Sequence, residues 1–468
     1  MRHGNSCRRL GVLALTLGGF LALFASSALA QDKPQPDIEA GKEAYLQSCA
    51  RCHGPQGDAN VPFAKRFYPR PRDFTKGVYK FRSTVSGTPP TDEDLFKTIE
   101  SGLHGSNMPD WKLLAPETRW QIVYYLKTLA PIFQETPPEP VAVAADPGSN
   151  ADIKKGRQVF EQLGCASCHG VNGRANGLSS ATLVDDWNAA IRPANLSYGW
   201  SYRGGSAPKE IMIRMLAGID GSGMPSYSGA VSPEDAWHLA YYVASLQEEA
   251  FWNPIAHGAY IHGALPSSPD DSSWEQAEPN DLRLRQAIEA DGSWAHPATT
   301  NKVRVQVLHN NQDVAVRLTW DDPSEDKSSG SADSVSLILR PEGVAGDQVS
   351  LQVWPFRGAP ALDLCTWVAD GTLLGEVVAD SFEQNVFNSS EKVMLAGSAR
   401  YEDGQWQLVI QRPLAQAKLA GGAVLKHGEL LPIAVAVWDA GNPGARAVTT
   451  WLDVRLDGGP VESADAGH

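Results

Sequence analysis

The spacing of apolar residues changes character twice along the chain. After a basic start with Arg2, Arg8 and Arg9, the residues from about Leu10 are almost all apolar, and the run closes on the small-residue site Ala28-Leu29-Ala30. Between about residues 38 and 249 apolar residues recur at helical spacing. Gly41-Lys42-Glu43-Ala44-Tyr45 and Gly156-Arg157-Gln158-Val159-Phe160 each predict a short helix, with a glycine that lets two helices cross closely. Arg119-Trp120-Gln121-Ile122-Val123-Tyr124-Tyr125-Leu126 and Ala236-Trp237-His238-Leu239-Ala240-Tyr241-Tyr242-Val243 each predict a longer amphipathic helix. After about Phe251 the helical period stops. Short β-rich runs take over at 303–308, 314–320, 334–339, 361–368, 406–411, 433–439 and 448–456, with turn signals at Asn310-Asn311, Asp370-Gly371 and Asp403-Gly404. The pattern predicts a multidomain chain of two all-α domains and a C-terminal all-β sandwich, and 468 residues leave room for that number of cores.

Residues 1–30 have the three parts of a secretory signal peptide, with cleavage expected before Gln31. The alternative is a retained anchor, which the shortness of the apolar run disfavours. Export implies a periplasmic location, and the remaining chain has no run apolar enough to span a membrane. A composition of 42% hydrophobic, 20% charged and 8% aromatic residues excludes wholesale disorder. Loss of the segment removes three Arg and leaves 37 basic against 54 acidic residues, a formal charge of −17. Such acidity argues against nucleic acid or anionic lipid as a partner.

Four of the six cysteines form two close pairs, Cys49 with Cys52 and Cys165 with Cys168; Cys7 lies in the signal segment and Cys365 stands alone in a β-rich run, as a buried small hydrophobe. In an exported chain such pairs are ordinarily disulfides. Here each is followed at once by His and Gly, in Cys49-Ala50-Arg51-Cys52-His53-Gly54 and Cys165-Ala166-Ser167-Cys168-His169-Gly170. Two thiols three residues apart on a tight turn can form thioethers to one porphyrin, while the next side chain turns an imidazole to the iron. A zinc site shared by the pairs, or a thioredoxin-like redox pair, leaves the repeated His unexplained. His53 and His169 are therefore candidate iron ligands of two covalent haem c groups.

A sixth ligand is expected downstream. Met108 and Met224 each lie 56 residues after the second Cys of their pair, in the loops Gly105-Ser106-Asn107-Met108-Pro109 and Gly221-Ser222-Gly223-Met224-Pro225. A thioether in a polar Gly-rich loop has little packing to do, so ligation is the better reading. Met212 and Met215 read as core. Arg70-Pro71-Arg72-Asp73-Phe74 with Phe81-Arg82, and Arg192-Pro193-Ala194-Asn195-Leu196 with Tyr202-Arg203, form a second repeated pattern whose arginines either pair with haem propionates or are solvated.

On these residues the chain resembles two tandem class I cytochrome c domains, at 38–133 with Cys49, Cys52, His53 and Met108 and at 151–249 with Cys165, Cys168, His169 and Met224. Pro137, Pro138, Pro140 and Pro147 make 134–150 an extended Pro-rich linker.

The remainder, about 252–456, is similar to the haem b-binding γ subunit of ethylbenzene dehydrogenase-like, type II molybdenum enzymes. The similarity is carried by Leu265-Pro266 with Trp274, by Val307-Leu308-His309-Asn310 with Leu318-Thr319-Trp320-Asp321-Asp322, and by Ala434 to Asp439 with Trp451. It implies a haem b held by Met and Lys, but Arg357 and Arg446 stand at the matching positions. A guanidinium offers no lone pair, which puts a haem b here in doubt. Met394, His309, Lys426 and His427 are the conceivable substitutes, each with a simpler core or surface reading. Residues 457–468 form a tail.

Iron held by His and Met has no open position, which favours one-electron transfer over substrate chemistry. The expected function is a non-catalytic, periplasmic dihaem electron-transfer subunit. Its partners would be the catalytic and iron–sulfur subunits of a molybdenum oxidoreductase, such as a nitrite oxidoreductase-like enzyme, or another redox protein. The alternatives are a dihaem enzyme of peroxidase or thiosulfate-oxidising type and an autonomous soluble carrier.

Overall fold

Asp37 and Asp152 open equivalent helices. In the first unit α1 (Ile38–Ser48), α2 (Ala50–His53), α3 (Asp92–Ser101) and α4 (Pro116–Lys127) are followed by a short α5 (Ile132–Glu135). In the second, α6 (Ile153–Gln162), α7 (Ala166–His169), α8 (Pro208–Ala217) and α9 (Pro233–Ser245) repeat the order. The Asp37 carboxylate accepts the Ala40 N–H and that of Asp152 accepts those of Lys154 and Lys155, satisfying donors that a helix start leaves free. The computed structural model describes residues 33–458 except 65–66, 68, 189–190, 290–294, 297–298, 345–348, 353, 356–358, 383–391, 416–418 and 443. The signal segment 1–30 and most of the tail lie outside the described residues.

The crossing glycines act as expected. A side chain on Gly41 would begin 2.1 Å from the Gln121 carbonyl oxygen, and one on Gly156 2.1 Å from that of His238, so α1 against α4 and α6 against α9 approach backbone to backbone. Each contact is pinned by one more bond: Asp37 N–H donates to Gln121 Oε1 (2.6 Å), and Asp152 N–H to His238 Nδ1 (2.9 Å). Tyr45, Ile99, Ile122 and Val123 fill the first core; Phe160, Trp237 and Leu239 fill the second, together with Met212 and Met215.

The Pro-rich segment begins in α5 and ends in a 3-10 turn at Gly148–Asn150, and between them it is docked on the helical units. Val85 N–H donates to Glu139 O (2.8 Å), Val141 N–H to Ser83 O (2.9 Å) and Trp237 Nε1 to Ala144 O (3.1 Å). Val141 is buried among second-unit residues. Pro-rich backbone keeps its carbonyls available, and neighbours on both units use them.

The C-terminal half is an all-β sandwich. Its strands are β1 (Ile255–Tyr260), β2 (Asn280–Arg283), β3 (Arg285–Gln286), β4 (Lys302–His309), β5 (Asp313–Asp321), β6 (Lys327–Ser328), β7 (Ser331–Ala332), β8 (Ser334–Leu339), β9 (Leu362–Val368), β10 (Leu374–Ala379), β11 (Val393–Met394), β12 (Ala396–Glu402), β13 (Gln405–Pro413), β14 (Leu430–Asp439), β15 (Ala445–Val448) and β16 (Leu452–Leu456). One sheet runs β11-β10-β9-β8-β14-β16-β1 and the other β1-β4-β5-β13-β12. β1 joins them: Ile255 to Gly258 pair in parallel with Asp453 to Leu456, then Ala259 and Tyr260 with Leu308 and His309. Alternate residues such as Val303, Val305 and Val307 face Leu337, Ile433 and Val435 across the core, each worth about 1.5–3 kcal/mol when fully buried. A cavity of about 10 Å³ remains beside Arg412.

The run 448–456 is two strands, not one. From Ala436↔Val448 to Ile433↔Leu452, β14 advances three residues and its partner four, so a bulge falls at 449–451 and Thr449 Oγ1 takes the Val435 N–H (3.0 Å).

Candidate functional site

Each Cys pair sits on a one-turn helix, α2 or α7, and the thiols form no disulfide. Burial pushes the Cys49 thiol up to about 12 and the Cys165 thiol up to about 11. Both histidines are fixed in one tautomer. His53 Nδ1 lies 2.9 Å from the Arg72 carbonyl and His169 Nδ1 2.9 Å from that of Ala194; a carbonyl only accepts, so each Nδ1 carries the proton and each Nε2 keeps its lone pair. Burial also holds both imidazoles below their ordinary pKa, favouring the neutral, ligating form. Phe74 stacks on the His53 ring at 4.4 Å.

The methionine loops share one hydrogen-bond frame. Leu103 N–H donates to Met108 O (3.1 Å), Ser106 Oγ to Leu103 O (2.7 Å), and Met108 N–H to Ser106 Oγ (3.2 Å). Ile219, Ser222 and Met224 repeat this at 3.1, 2.7 and 3.3 Å. Gly102 and Gly218, at φ of +63° and +70°, open these loops, and a side chain on either would strike the loop backbone within 2.6 Å. Three residues after each Met an aromatic residue reaches the Cys turn: Tyr227 hydrogen-bonds Cys165, and Trp111 packs in the cluster that holds Cys49. Ser106 and Ser222 were visible in the repeated Gly-Ser-x-Met-Pro, although their role as loop clamps was not.

The donor set fits a haem in each unit. Tyr79 Oη, Trp111 Nε1 and Arg72 Nη1 in the first unit and Trp200 Nε1 in the second are buried donors with no protein acceptor, as carboxylates such as propionates would require. Tyr79 and Trp200 hold the same place, two residues before Phe81-Arg82 and Tyr202-Arg203. The repeated arginines take on a second task. Arg82, 1% exposed, crosses to the second unit, donating to Ala217 O (2.9 Å) and pairing with Asp220 (2.8 Å) just before the Met224 loop. Arg203 crosses the other way, to Gly105 O in the Met108 loop (3.3 Å). Arg72 lies 4.5 Å over Trp187 and against Gly221, so the residue whose carbonyl holds His53 touches the loop that carries Met224. A cleft of about 450 Å³ lies between Lys76, Ser86 and Thr88 of the first unit and Asp220, Met224 and Pro225 of the second.

The second unit also seats the β-domain. Arg174 pairs with Glu248 (2.7 Å) and Asp321 (2.8 Å), Arg283 lies over the rings of Trp200 and Trp252, and Lys302 lies over Tyr198.

Of the residues considered for a haem b, His309 and His427 are neighbours, while Met394 and Lys426 are surface residues. Met394 is 60% exposed on the edge strand β11, Lys426 pairs with Glu429 on the surface, and buried His309 donates its Nε2–H to Asp457 O (2.8 Å) beside exposed His427. Arg446 lies in β15 against Ile288 O (3.3 Å), Glu289 (3.7 Å) and the Phe382 ring. Arg357 lies outside the described residues. Cys365 is fully buried as expected, but Asp363, Glu376 and Arg412 surround its thiol.

Comparison with known proteins agrees with this duplicated geometry. Residues 153–247 match the family described as cytochrome c, and residues 36–126 the family described as cytochrome c oxidase, cbb3-type, subunit III. Chlorate reductase subunit gamma of Ideonella dechloratans is 29% identical over 42% of this chain and 82% of its own length. Dimethylsulfide dehydrogenase subunit gamma of Rhodovulum sulfidophilum is 25% identical over 43% and 79%. A chain of the reducing HAO-like protein complex of Kuenenia stuttgartiensis is 37% identical, covering 46% of this chain and all of that one, with a TM-score of 0.44. The two helical units are cytochrome c domains, and the chain is a cytochrome c electron-transfer protein related to these gamma subunits. No described helix is long and apolar enough to cross a membrane.

Proposed function

We propose that this chain is the dihaem electron-transfer subunit of a periplasmic oxidoreductase complex whose catalytic subunit, in another chain, is a type II molybdenum enzyme of the nitrite oxidoreductase-like class. The observation that carries the reading is the duplication itself. Two Cys-x-x-Cys-His turns, each with its His tautomer fixed and its own Ser-clamped Met loop, are locked to one another by Arg82 and Arg203.

In this reading Cys49 and Cys52 would hold one haem c and Cys165 and Cys168 the other, with His53 and Met108, and His169 and Met224, supplying the iron ligands. Bound haem supplies an iron whose charge changes by one electron. The protein does the rest. Arg72 O and Ala194 O orient the imidazoles and strengthen them as donors. Ser106 and Ser222 hold the thioethers, Tyr79, Trp111, Arg72 and Trp200 answer the propionates, and the clasp keeps the two units at a fixed separation. The β-domain serves as the docking module, and its contacts with the second unit make that unit the nearer one to a partner docked there. The related gamma subunits support an oxidoreductase partner; the sequence resemblance supplies the molybdenum class.

Affinity purification from the native host tests the reading. The expected eluate contains molybdenum, a larger catalytic chain and two covalent haems per copy of this chain by pyridine haemochrome assay. Protein that elutes alone and free of molybdenum, with both haems in place, would instead identify an autonomous carrier.

A further inference from the structure

We infer that the β-domain contains a calcium-type divalent-cation site in which Asp322, Asp333 and Asp439 supply the oxygen donors. Asp322 follows β5, Asp333 precedes β8 and Asp439 ends β14. One oxygen from each carboxylate lies within 4.8 Å of the other two. Oxygens that share one calcium ion at about 2.4 Å can be no more than about 4.8 Å apart, and the three meet that limit.

Two observations point to a ligand. The first is charge answered only from a distance: the three residues are 1%, 0% and 5% exposed, among the described residues no Lys or Arg side chain lies within ion-pair distance of any of them, and Arg192 acts on Asp439 from farther off. Asp333 accepts from Asp326 N (2.9 Å) and Trp406 Nε1 (3.0 Å) at Oδ2 and from Ala440 N (3.0 Å) at Oδ1, which favours the anion and leaves one lone pair of Oδ1 for a ligand. Asp322 Oδ2 and Asp439 Oδ1, by contrast, are buried acceptors with no hydrogen-bond donor. Buried and unpaired, each ionised carboxylate costs several kcal/mol unless a proton or a cation answers it. Burial pushes Asp439 up from the ordinary carboxylate range against the pull of Thr299 and Arg192, burial with the neighbouring Asp439 and Asp333 pushes Asp322 up, and burial takes Asp333 up to about 6.

The second observation is convergence. Ser324 Oγ, Asp326 Oδ2 and Asp439 Oδ1 would lie 2.5, 2.8 and 3.2 Å from a side chain on Gly441, so oxygens from two loops crowd a spot that only glycine leaves open. The sequence agrees: Asp322, Ser324, Asp326 and Asp333 stand at the first, third, fifth and twelfth places of one loop, the spacing by which oxygen-ligated calcium loops present their side chains. The flanking elements here are strands, and Lys327 stands where such loops usually turn on glycine, so the likeness is one of ligand spacing alone.

The test uses the full holoprotein, stripped with a chelator and titrated calorimetrically with calcium chloride, with magnesium chloride as comparator. One calcium per chain is expected, along with a lower thermal midpoint in chelator and no comparable response to magnesium. Asp322→Asn and Asp439→Asn, which remove charge while keeping shape, are each expected to weaken calcium binding at least tenfold and to lower the midpoint in calcium. A cluster that merely holds protons gives the opposite sign: the Asn variants raise the midpoint, and chelator has no effect. That result, an equal response to both metals, or no calcium uptake by the unmutated protein overturns the inference. Calcium uptake by the unmutated protein decides the matter even if a variant fails to fold.

Discussion

Asn195 of the second cytochrome domain donates its side-chain amide to Asp321 at the end of β5, and the residue before Asn195 is the one whose carbonyl fixes His169. The β-domain therefore holds the loop that orients the His169 imidazole. The equivalent loop of the first domain, with Arg72 O on His53, rests against Trp187 of the second. Asn195→Ala is expected to shift the midpoint potential of one haem by something on the order of tens of mV, where 59 mV is a tenfold change in a one-electron equilibrium, and to leave the other in place. It also removes a hydrogen bond to a charged group, about 1.5–3 kcal/mol. A spectroelectrochemical titration that resolves two haems checks this; equal shifts in both would break the link between Asp321 and His169.

Met108→Ala and Met224→Ala each remove one thioether. Because Met ligation raises haem potential, each variant is expected to show one potential lowered, the far-red band of sulfur-bound ferric haem halved, and one site newly able to bind cyanide. A band that stays whole in either variant would show that the mutated Met is not a ligand.

The helical half was largely legible because its chemistry repeats. Two Cys-x-x-Cys-His turns and two Gly-Ser-x-Met-Pro loops share one spacing, a crossing glycine precedes each turn by eight or nine residues, and the structure sets each in the same place. The β-half was legible only where a strand has its own alternation, as in β4 and β5. β1, reading Ile-Ala-His-Gly-Ala-Tyr, has none; its extension comes from Asp453 to Leu456 and from Leu308 and His309, far along the chain. β10 and β12 escaped notice for a similar reason, since their pairing with β9 and β13 defines them. Nor could spacing alone show that Arg82 and Arg203 would span the gap between domains, or that the oxygen donors at 322–333 would meet Asp439.

Asp363 predicts a pH dependence. Burial and the neighbouring Glu376 push its carboxyl up to about 8 against the pull of Arg412, 3.6 Å away. A carboxyl raised in the folded state stabilises most below its unfolded value near 4, and that contribution is lost as pH rises through about 8. Between pH 5.5 and 8.5 the protein is expected to lose a few kcal/mol, roughly, of urea stability, and Asp363→Asn to flatten the slope. Parallel curves for the two proteins would remove Asp363 as the cause.

Surface charge predicts a salt effect. With the signal segment removed the formal charge is −17, so encounter with a basic redox partner is expected to be steered by the field and to slow severalfold between low and physiological ionic strength. Stopped-flow reduction by a basic cytochrome across that range measures it, and rates insensitive to salt would argue for a docking face without net charge.

The place of β1 carries a consequence for biogenesis. The opening strand of the domain has its main neighbour in the last, about 200 residues later, so one sheet's edge stays open until nearly the whole polypeptide has been delivered. The cytochrome domains, whose main helix pairs α1 with α4 and α6 with α9 are complete by Lys127 and Ser245, can close long before that. The helical half can thus fold ahead of the sheets, and a chain cut short before Leu452 would keep both cytochrome domains while its β-half lacked the strand on which β1 closes.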